Sequence, residues 1–509
     1  MQTNMLTLNE DVLITLVSYL DSQSARQLSY TARSIHLIAK HRALQSVTLH
    51  SIERTTKFCT YMLGDMPHRL PALHELKVHC IVLSAHELVT HTTDDTEESY
   101  AAAATLLSEL LRRAKNLRVL VMDSAQAWMA YEPQMVDAMA SIQTLQEIDL
   151  ALVGSYTSEF INKMRSAPRK LTFRRSGPLK QGRGRLQLDP QLRLPSVESL
   201  SVYDPDNLPG APDLARAFPG AKRVDLRRTR SFKGLRPLLS TDTDAVPWPT
   251  LERVRGSVIS FERWKSANTV HLLQLVGQLS STEASSSWRG RALAGILRGR
   301  VTYSSAIPIV SNFQPVALIL ELDVTAGLEN LAELIRGSAR LQYLAVAVAS
   351  DDKDRLDHVA SWWGAFCSVL TDSSVLCLEF RVACRQNMSF PPGRSLSGNA
   401  GLIPYQETLV RAVEASVGKS TPSTLRYLSL DCSPMGNSPW RYDYLAPEEG
   451  QEVKTPPDLR WWSVEGEGTA RTTRVLDVGQ GERIAAYLRS VQYDYSKPFN
   501  ERDVPDLCR

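Results

Sequence analysis

The sequence predicts an α/β protein, in which a short N-terminal all-α module precedes an irregular solenoid with parallel strands on its concave side and helices and loops on its convex side. Three observations carry this expectation. The opening stretch "LNEDVLITLVSYLD" (Leu8 to Asp21) repeats aliphatic residues at spacings of one, three and four, the signature of a helix. After residue 60 one six-residue phrase keeps returning: an aliphatic residue, two others, an aliphatic residue, one other, an aliphatic residue. Helical stretches such as "YAAAATLLSELLRRAKN" and "LENLAELIRGSAR" stand between some of its copies.

The bulk properties set the frame. The chain has 509 residues, of which 43% are hydrophobic and 22% charged, the balance of an ordinary folded protein with a large core. Its 58 basic and 55 acidic residues leave a net charge of only +3, so any basic site has to be local. The first twenty residues contain Glu10 and Asp11 and no Lys or Arg, the wrong pattern for a secretory signal, and no apolar run reaches the length of a membrane span. The expectation is a soluble protein of the cytoplasm, the nucleus or both. Seven cysteines at irregular spacings, without C-x-x-C, read as buried free thiols.

The first helix has two possible starts. Thr7 and Glu10 form a T-x-x-E capping box, and Asn9 followed by Glu10 and Asp11 offers the alternative cap. A second helix opens after Asp21 and carries Ala25, Leu28 and Ala32, and a shorter segment follows with Ile35, Leu37, Ile38 and Leu44. The first helix is apolar around too much of its circumference: Val12, Leu13, Leu16, Val17 and Leu20 are widened by Ile14 and Tyr19, so more than one face asks for cover.

"LNEDVLITLVSYLDSQSARQLSYTARSIHLIA" resembles an F-box. Leu8, Glu10, Asp11, Val12, Leu13, Leu16, Tyr19, Leu20, Asp21, Leu28 and Ser29 fall on the family's positions, while Asn9 stands where the family usually has Pro, Ala32 where it often has Cys and Ile35 where it has Trp. The resemblance implies that the second apolar face binds the small Skp-type adaptor of cullin-RING ubiquitin ligases, with Leu8, Asn9, Val12, Leu13, Leu16 and Leu20 as the contact by position.

The phrase of the remaining chain appears as "LHELKV", "LRVLVM", "LQEIDL", "VESLSV", "AKRVDL", "LQYLAV", "LRYLSL" and "LRWWSV", with weaker copies in "PRKLTF", "LERVRG", "VHLLQL", "ALILEL" and "VLCLEF". It resembles the L-x-x-L-x-L of leucine-rich repeats, which implies one strand and one crossover segment per repeat, stacked around a shared core. Starts are commonly separated by about 23 to 34 residues, with three gaps near 44 to 50, so the repeats are irregular. The expected organisation is a helical module over 1–50, a solenoid over 51–490 and a tail over 491–509. Loop insertions near 280–291, 387–404 and 433–458 are rich in Ser, Gly and Pro.

In an L-x-x-L-x-L strand the residues flanking the inward aliphatics alternate onto the concave face. This projects Lys170 and Arg174, then Arg223 and Arg227, then Arg253 and Arg255, a basic stripe suited to an acidic or phosphorylated peptide held by bidentate guanidinium contacts. The lack of interleaved aromatics and the near-neutral total charge argue against nucleic acid.

No signature of catalysis, metal or cofactor emerges. "HELKVHCIVLSAHELVTH" gathers His74, His79, Cys80, His86 and His91, but its motif is H-E-x-x-x-H. Five residues turn a helix so far that His86 and His91 stand roughly 140° apart, off any common face for one ion. "GQGERI" and "GRGR" lack a third glycine and a P-loop Lys, and no G-x-S-x-G elbow occurs. The F-box resemblance implies a non-catalytic function, the substrate-receptor subunit of a cullin-RING ligase, with a leucine-rich-repeat scaffold lacking ligase binding as the alternative.

Overall fold

The computed structural model describes residues 9–31, 33–80, 94–174, 186–203, 211–227, 248, 251–261, 269–280, 301–323, 328–350, 357–384, 403–417, 421–432, 459–466 and 470–505. The chain divides into two compact units, Met1–Val224 with Pro237–Thr250 and Asp225–Arg236 with Leu251–Arg509.

The N-terminal unit opens with three helices, α1 (Glu10–Ser18), α2 (Ser22–Ser29) and α3 (Arg33–Gln45). Asn9 is the N-cap of α1 by position, although its side chain makes no capping hydrogen bond, and Thr7 lies outside the described residues. Asp21 caps α2 by accepting from the Ser24 N–H at 2.6 Å, and that contact holds its carboxyl below the usual aspartate value. Strand β1 (Ser46–Leu49) then follows α3 without an intervening residue.

Six further strands continue the unit: β2 (Glu75–Val78), β3 (Val119–Met122), β4 (Glu147–Ala151), β5 (Lys170–Arg174), β6 (Ser199–Tyr203) and β7 (Arg223–Arg227), inside which the division between units falls. Strands β1 to β6 pair in parallel and in chain order. The aliphatic positions of the repeated phrase, Leu76, Val78, Leu120, Met122, Ile148, Leu150, Leu171, Phe173, Leu200 and Val202, are all buried. One strand cannot cover that row, so each unit of the array depends on its neighbour.

Hydrogen bonds tie the rungs together ahead of each strand. Arg118 N donates to His74 O at 2.7 Å, Gln146 N to Arg118 O at 2.7 Å, Arg169 N to Gln146 O at 2.7 Å and Glu198 N to Arg169 O at 2.8 Å. A polar side chain immediately before the phrase adds a second tie: Asn116 Nδ2 donates to Pro71 O at 2.9 Å and Thr144 Oγ1 to Leu117 O at 2.7 Å. These bonds satisfy carbonyls that a crossover would otherwise bury unpaired.

The C-terminal unit contains β8 (Arg253–Ser257), β9 (Leu272–Ser280), β10 (Val301–Thr302), β11 (Ala317–Asp323), β12 (Tyr343–Ser350), β13 (Cys377–Cys384), β14 (Tyr427–Asp431), β15 (Leu459–Glu465) and β16 (Thr472–Leu476). Pairing is parallel in chain order from β8 to β14, with β10 set aside against β9. Ser374 and Thr424 repeat the side-chain tie, donating to Leu341 O at 2.7 Å and Val375 O at 3.0 Å. A register shift between β9 and β11 is accommodated at Gly277, whose φ of +109° suits glycine.

Strands β11 to β14 have two buried faces. Leu318, Leu320, Leu344, Val346, Leu378, Phe380, Leu428 and Leu430 point one way, where Trp362 and Trp363 of helix Asp357–Leu370 pack on Phe380 at ring distances of 5.8 and 4.8 Å. The alternate positions, Ala317, Ile319, Tyr343, Ala345, Cys377, Tyr427 and Trp461, form a second cluster with Ile484, Ala485 and Leu488 of helix Val478–Arg489 and with Tyr493. Phe499 and Val504 pack against it.

Three expectations need correction. The phrase "LRWWSV" forms β15, but β15 pairs antiparallel to β14 and to β16, so the sheet is mixed at that end. The phrase reports which side chains are buried and is blind to strand direction. The strand Ser46–Leu49 lies inside the segment expected to be wholly helical, because Ser-Val-Thr-Leu is too short for its alternation to stand out. Within the expected tail, Tyr493 is buried, and Phe499 and Val504 pack on the core. The third helical segment is not the shorter one, since α3 spans thirteen residues. Of the expected insertions, 281–291, 387–402 and 433–458 lie outside the described residues.

Candidate interaction surfaces

The three N-terminal helices divide their apolar residues between an inside and an outside. Leu13 and Val17 of α1 meet Ile35 and Ala39 of α3 in a small core, with Leu28 and Ile38 packed against it. On another side the same helix faces outward. Val12 is 44% exposed, Leu16 43% and Tyr19 81%, and Leu37 of α3 is 75% exposed. A groove of about 400 Å³ runs between the helices, floored by Ile14, Val17, Leu37 and Ile38 and rimmed by Ser18, His41, Arg42 and Gln45.

The residues expected to contact an adaptor therefore separate. Asn9, Val12 and Leu16 lie on the outside, Leu20 is half-buried with its carbonyl accepting from Arg42 Nε at 3.0 Å, and Leu13 is turned into the core. Leu8 lies outside the described residues. Sequence periodicity could not make this separation, because both faces of α1 are aliphatic.

The strands of the N-terminal unit present a second surface. Opposite the buried aliphatics, Glu75, Lys77, Asp149, Lys170, Arg174, Ser199 and Ser201 are partly exposed. Their charges are matched across strands. Arg174 Nε donates to Asp149 Oδ1 at 2.6 Å and Arg174 Nη2 to Asp123 Oδ1 at 3.3 Å, and His79 Nδ1 lies 3.0 Å from Asp123 Oδ2. The His50 ring stacks on His79 at 5.7 Å, and Lys170 faces Glu147 at 3.9 Å. Burial pushes the Asp149 carboxyl up, and the Arg174 guanidinium pulls it part of the way back.

The expected basic stripe is accordingly not a run of unmatched cations. Lys170 and Arg174 face acids on β4 and on the segment after β3. Arg223 is exposed, and the side chain of Arg227 lies outside the described residues. In the C-terminal unit Arg253 is half-exposed and Arg255 is only 4% exposed, so Arg255 does not face solvent as the alternation predicted. Its strand neighbour Gln274 and nearby Ile319 and Glu321 close that position off.

No three metal-capable side chains converge among the described residues. His74 and His79 occupy different positions, His74 beside β2 with its imidazole pushed down by burial, and His86 and His91 lie outside the described residues. The thiol of Cys59 is pushed up to about 12 by burial and that of Cys80 is also raised by burial, which leaves both as protonated core thiols at neutral pH. No helix among the described residues is long and apolar enough to cross a membrane.

No family model matches the chain, and no curated protein matches it. Among solved structures the chain is similar to the crystal structure of a Bacteroides fragilis protein from a structural genomics consortium, at 12% identity over 64% of this chain and 80% of that chain. The TM-score of 0.28 is too low to establish a shared fold.

Proposed function

We propose that this chain is the substrate-receptor subunit of a cullin-RING ubiquitin ligase, holding a Skp-type adaptor on its N-terminal helices and a protein target on its repeats. The observation that carries the reading is the outward apolar set Val12, Leu16, Tyr19 and Leu37 on helices whose own core is already filled by Leu13, Val17, Ile35 and Ala39. An apolar surface left over once the core is complete is the mark of a protein contact. The F-box-like order of residues from Leu8 to Leu28 gives that contact its identity, and chain-ordered parallel strands with the returning aliphatic phrase support a leucine-rich-repeat body behind it.

In this reading the chain performs no chemistry and needs no cofactor. It raises the effective concentration of a target's lysines near the ubiquitin-carrying enzyme. An acidic or phosphorylated target would compete with Asp123 and Asp149 for Arg174, since those carboxylates now occupy its donors. Its place of work would be the cytoplasm or nucleus.

Capture of a purified Skp-type adaptor tests the reading. Wild-type chain should retain the adaptor, and Val12→Asp with Leu16→Asp should lose it while keeping the wild-type circular dichroism and melting temperature. Failure of the wild-type chain to bind would leave the scaffold alternative in its place.

A further inference from the structure

The helix Val478–Arg489 and the chain that follows it to Val504 cover one sheet face of the C-terminal unit. The attachment is apolar at its centre: Ile484, Ala485 and Leu488 bury against Tyr343, Cys377 and Trp461. At its edges Tyr427 donates its hydroxyl to Glu501 at 2.5 Å, the His271 imidazole meets Leu488 O at 3.0 Å, and Arg340 lies over the Tyr495 ring at 4.2 Å.

The layer between helix and sheet is not what a permanent core uses. Glu379 of β13 faces Arg489 of the covering helix and its strand neighbour Arg381, and both ion pairs are long. Arg489 stands 3.8 Å from Glu379, and Arg381 stands 3.6 Å from Glu379 and 3.8 Å from Asp431. Glu379 Oε1 and Arg381 Nε are buried without a hydrogen-bond partner. Half-buried Glu482 of the same helix adds another carboxyl beside Glu379, pushed up by burial and by that neighbour. Glu379 and Arg381, removed from water and loosely paired, recover little of their desolvation cost, and opening would rehydrate them together, whereas Arg489 is better held, donating from Nε to Ala485 O at 3.2 Å. The helix is also weak in itself, because Gly479 and Gly481 stand in its first turn. Gly481 is required there: a Cβ would overlap the Trp461 ring.

We propose that Val478–Val504 is a strap that opens as one piece from the sheet face of the C-terminal unit while the strands beneath stay folded, so that this face alternates between covered and open states. The apolar centre holds the closed state and the poorly satisfied charge layer keeps the open state within reach, the combination expected of a sub-global opening unit. The inference does not depend on the ligase reading.

Hydrogen exchange on the full chain tests it. Amides of Ile484 to Leu488 should exchange at a common rate at least about 100-fold faster than those of Leu344 to Val348 and Leu378 to Val382. Equal protection in helix and strands would overturn the proposal. Leu488→Ala gives the second reading: exchange should rise by about tenfold or more in 478–504 with the strands unchanged. An equal rise in β12 and β13 would show that the segment belongs to the core and would reject the strap.

Discussion

Arg174 of β5 donates from Nε to Asp149 of β4 at 2.6 Å, and Nη2 of the same guanidinium reaches Asp123 at 3.3 Å. One cation thus serves two carboxylates on a sheet face whose other charges are also matched. Arg174→Met should cost about 1 kcal/mol at neutral pH, because it leaves a partly buried Asp149 charge without its donor. Denaturant unfolding of the two chains at pH 7 measures the difference.

The same aspartate makes stability depend on pH. Its carboxyl is held above the ordinary aspartate value by burial, so it binds its proton more tightly folded than unfolded. Its contribution is therefore fully present below the unfolded value and is lost as pH rises through the raised one. Asp149→Asn should remove that fall: the stability of wild type minus variant should decrease across the window, and a flat difference would show that Asp149 does not titrate in it.

Leu13 and Leu16 are three residues apart on α1 and should behave oppositely. Leu13→Ala should destabilise the helical module by about 2–4 kcal/mol, since it empties one of four core positions. Leu16→Ala should change unfolding by no more than about 0.5 kcal/mol, its side chain being largely outside. Thermal unfolding followed by helical circular dichroism compares them.

Gln126 caps a helix of the neighbouring repeat. Its Oε1 accepts from Tyr156 N at 3.1 Å and Thr157 N at 3.4 Å at the start of Ser155–Lys163. Gln126→Ala should cost about 1 kcal/mol, as loss of a cap does, and should speed exchange selectively at the amides of Tyr156 and Thr157.

Much of this arrangement is legible in the sequence for a plain reason. The phrase L-x-x-L-x-L has to recur wherever a strand buries one face, and even its weak copies, "LERVRG" and "VHLLQL", begin β8 and β9. What escapes is whatever depends on a distant strand. The acids that match Arg174 lie 25 and 51 residues before it, so reading one strand at a time leaves it bare. Arg255 follows the same alternation as Lys170 and Arg174 yet is enclosed, because the covering comes from elsewhere in the chain. A signal that could have been found is the polar residue before four of the copies: Asn116, Thr144, Ser374 and Thr424 all bond back to the previous rung.

The junction of α3 and β1 has a mechanical consequence. Gln45 ends the helix and Ser46 begins the strand, so no slack lies between the N-terminal helices and the first rung. A pull applied along α3 would be transmitted straight to β1, whose bonds to β2 run side by side over Ser46 to Leu49 and would bear the load together in shear. Whatever grips those helices therefore takes hold of a stiff handle and not of a tether.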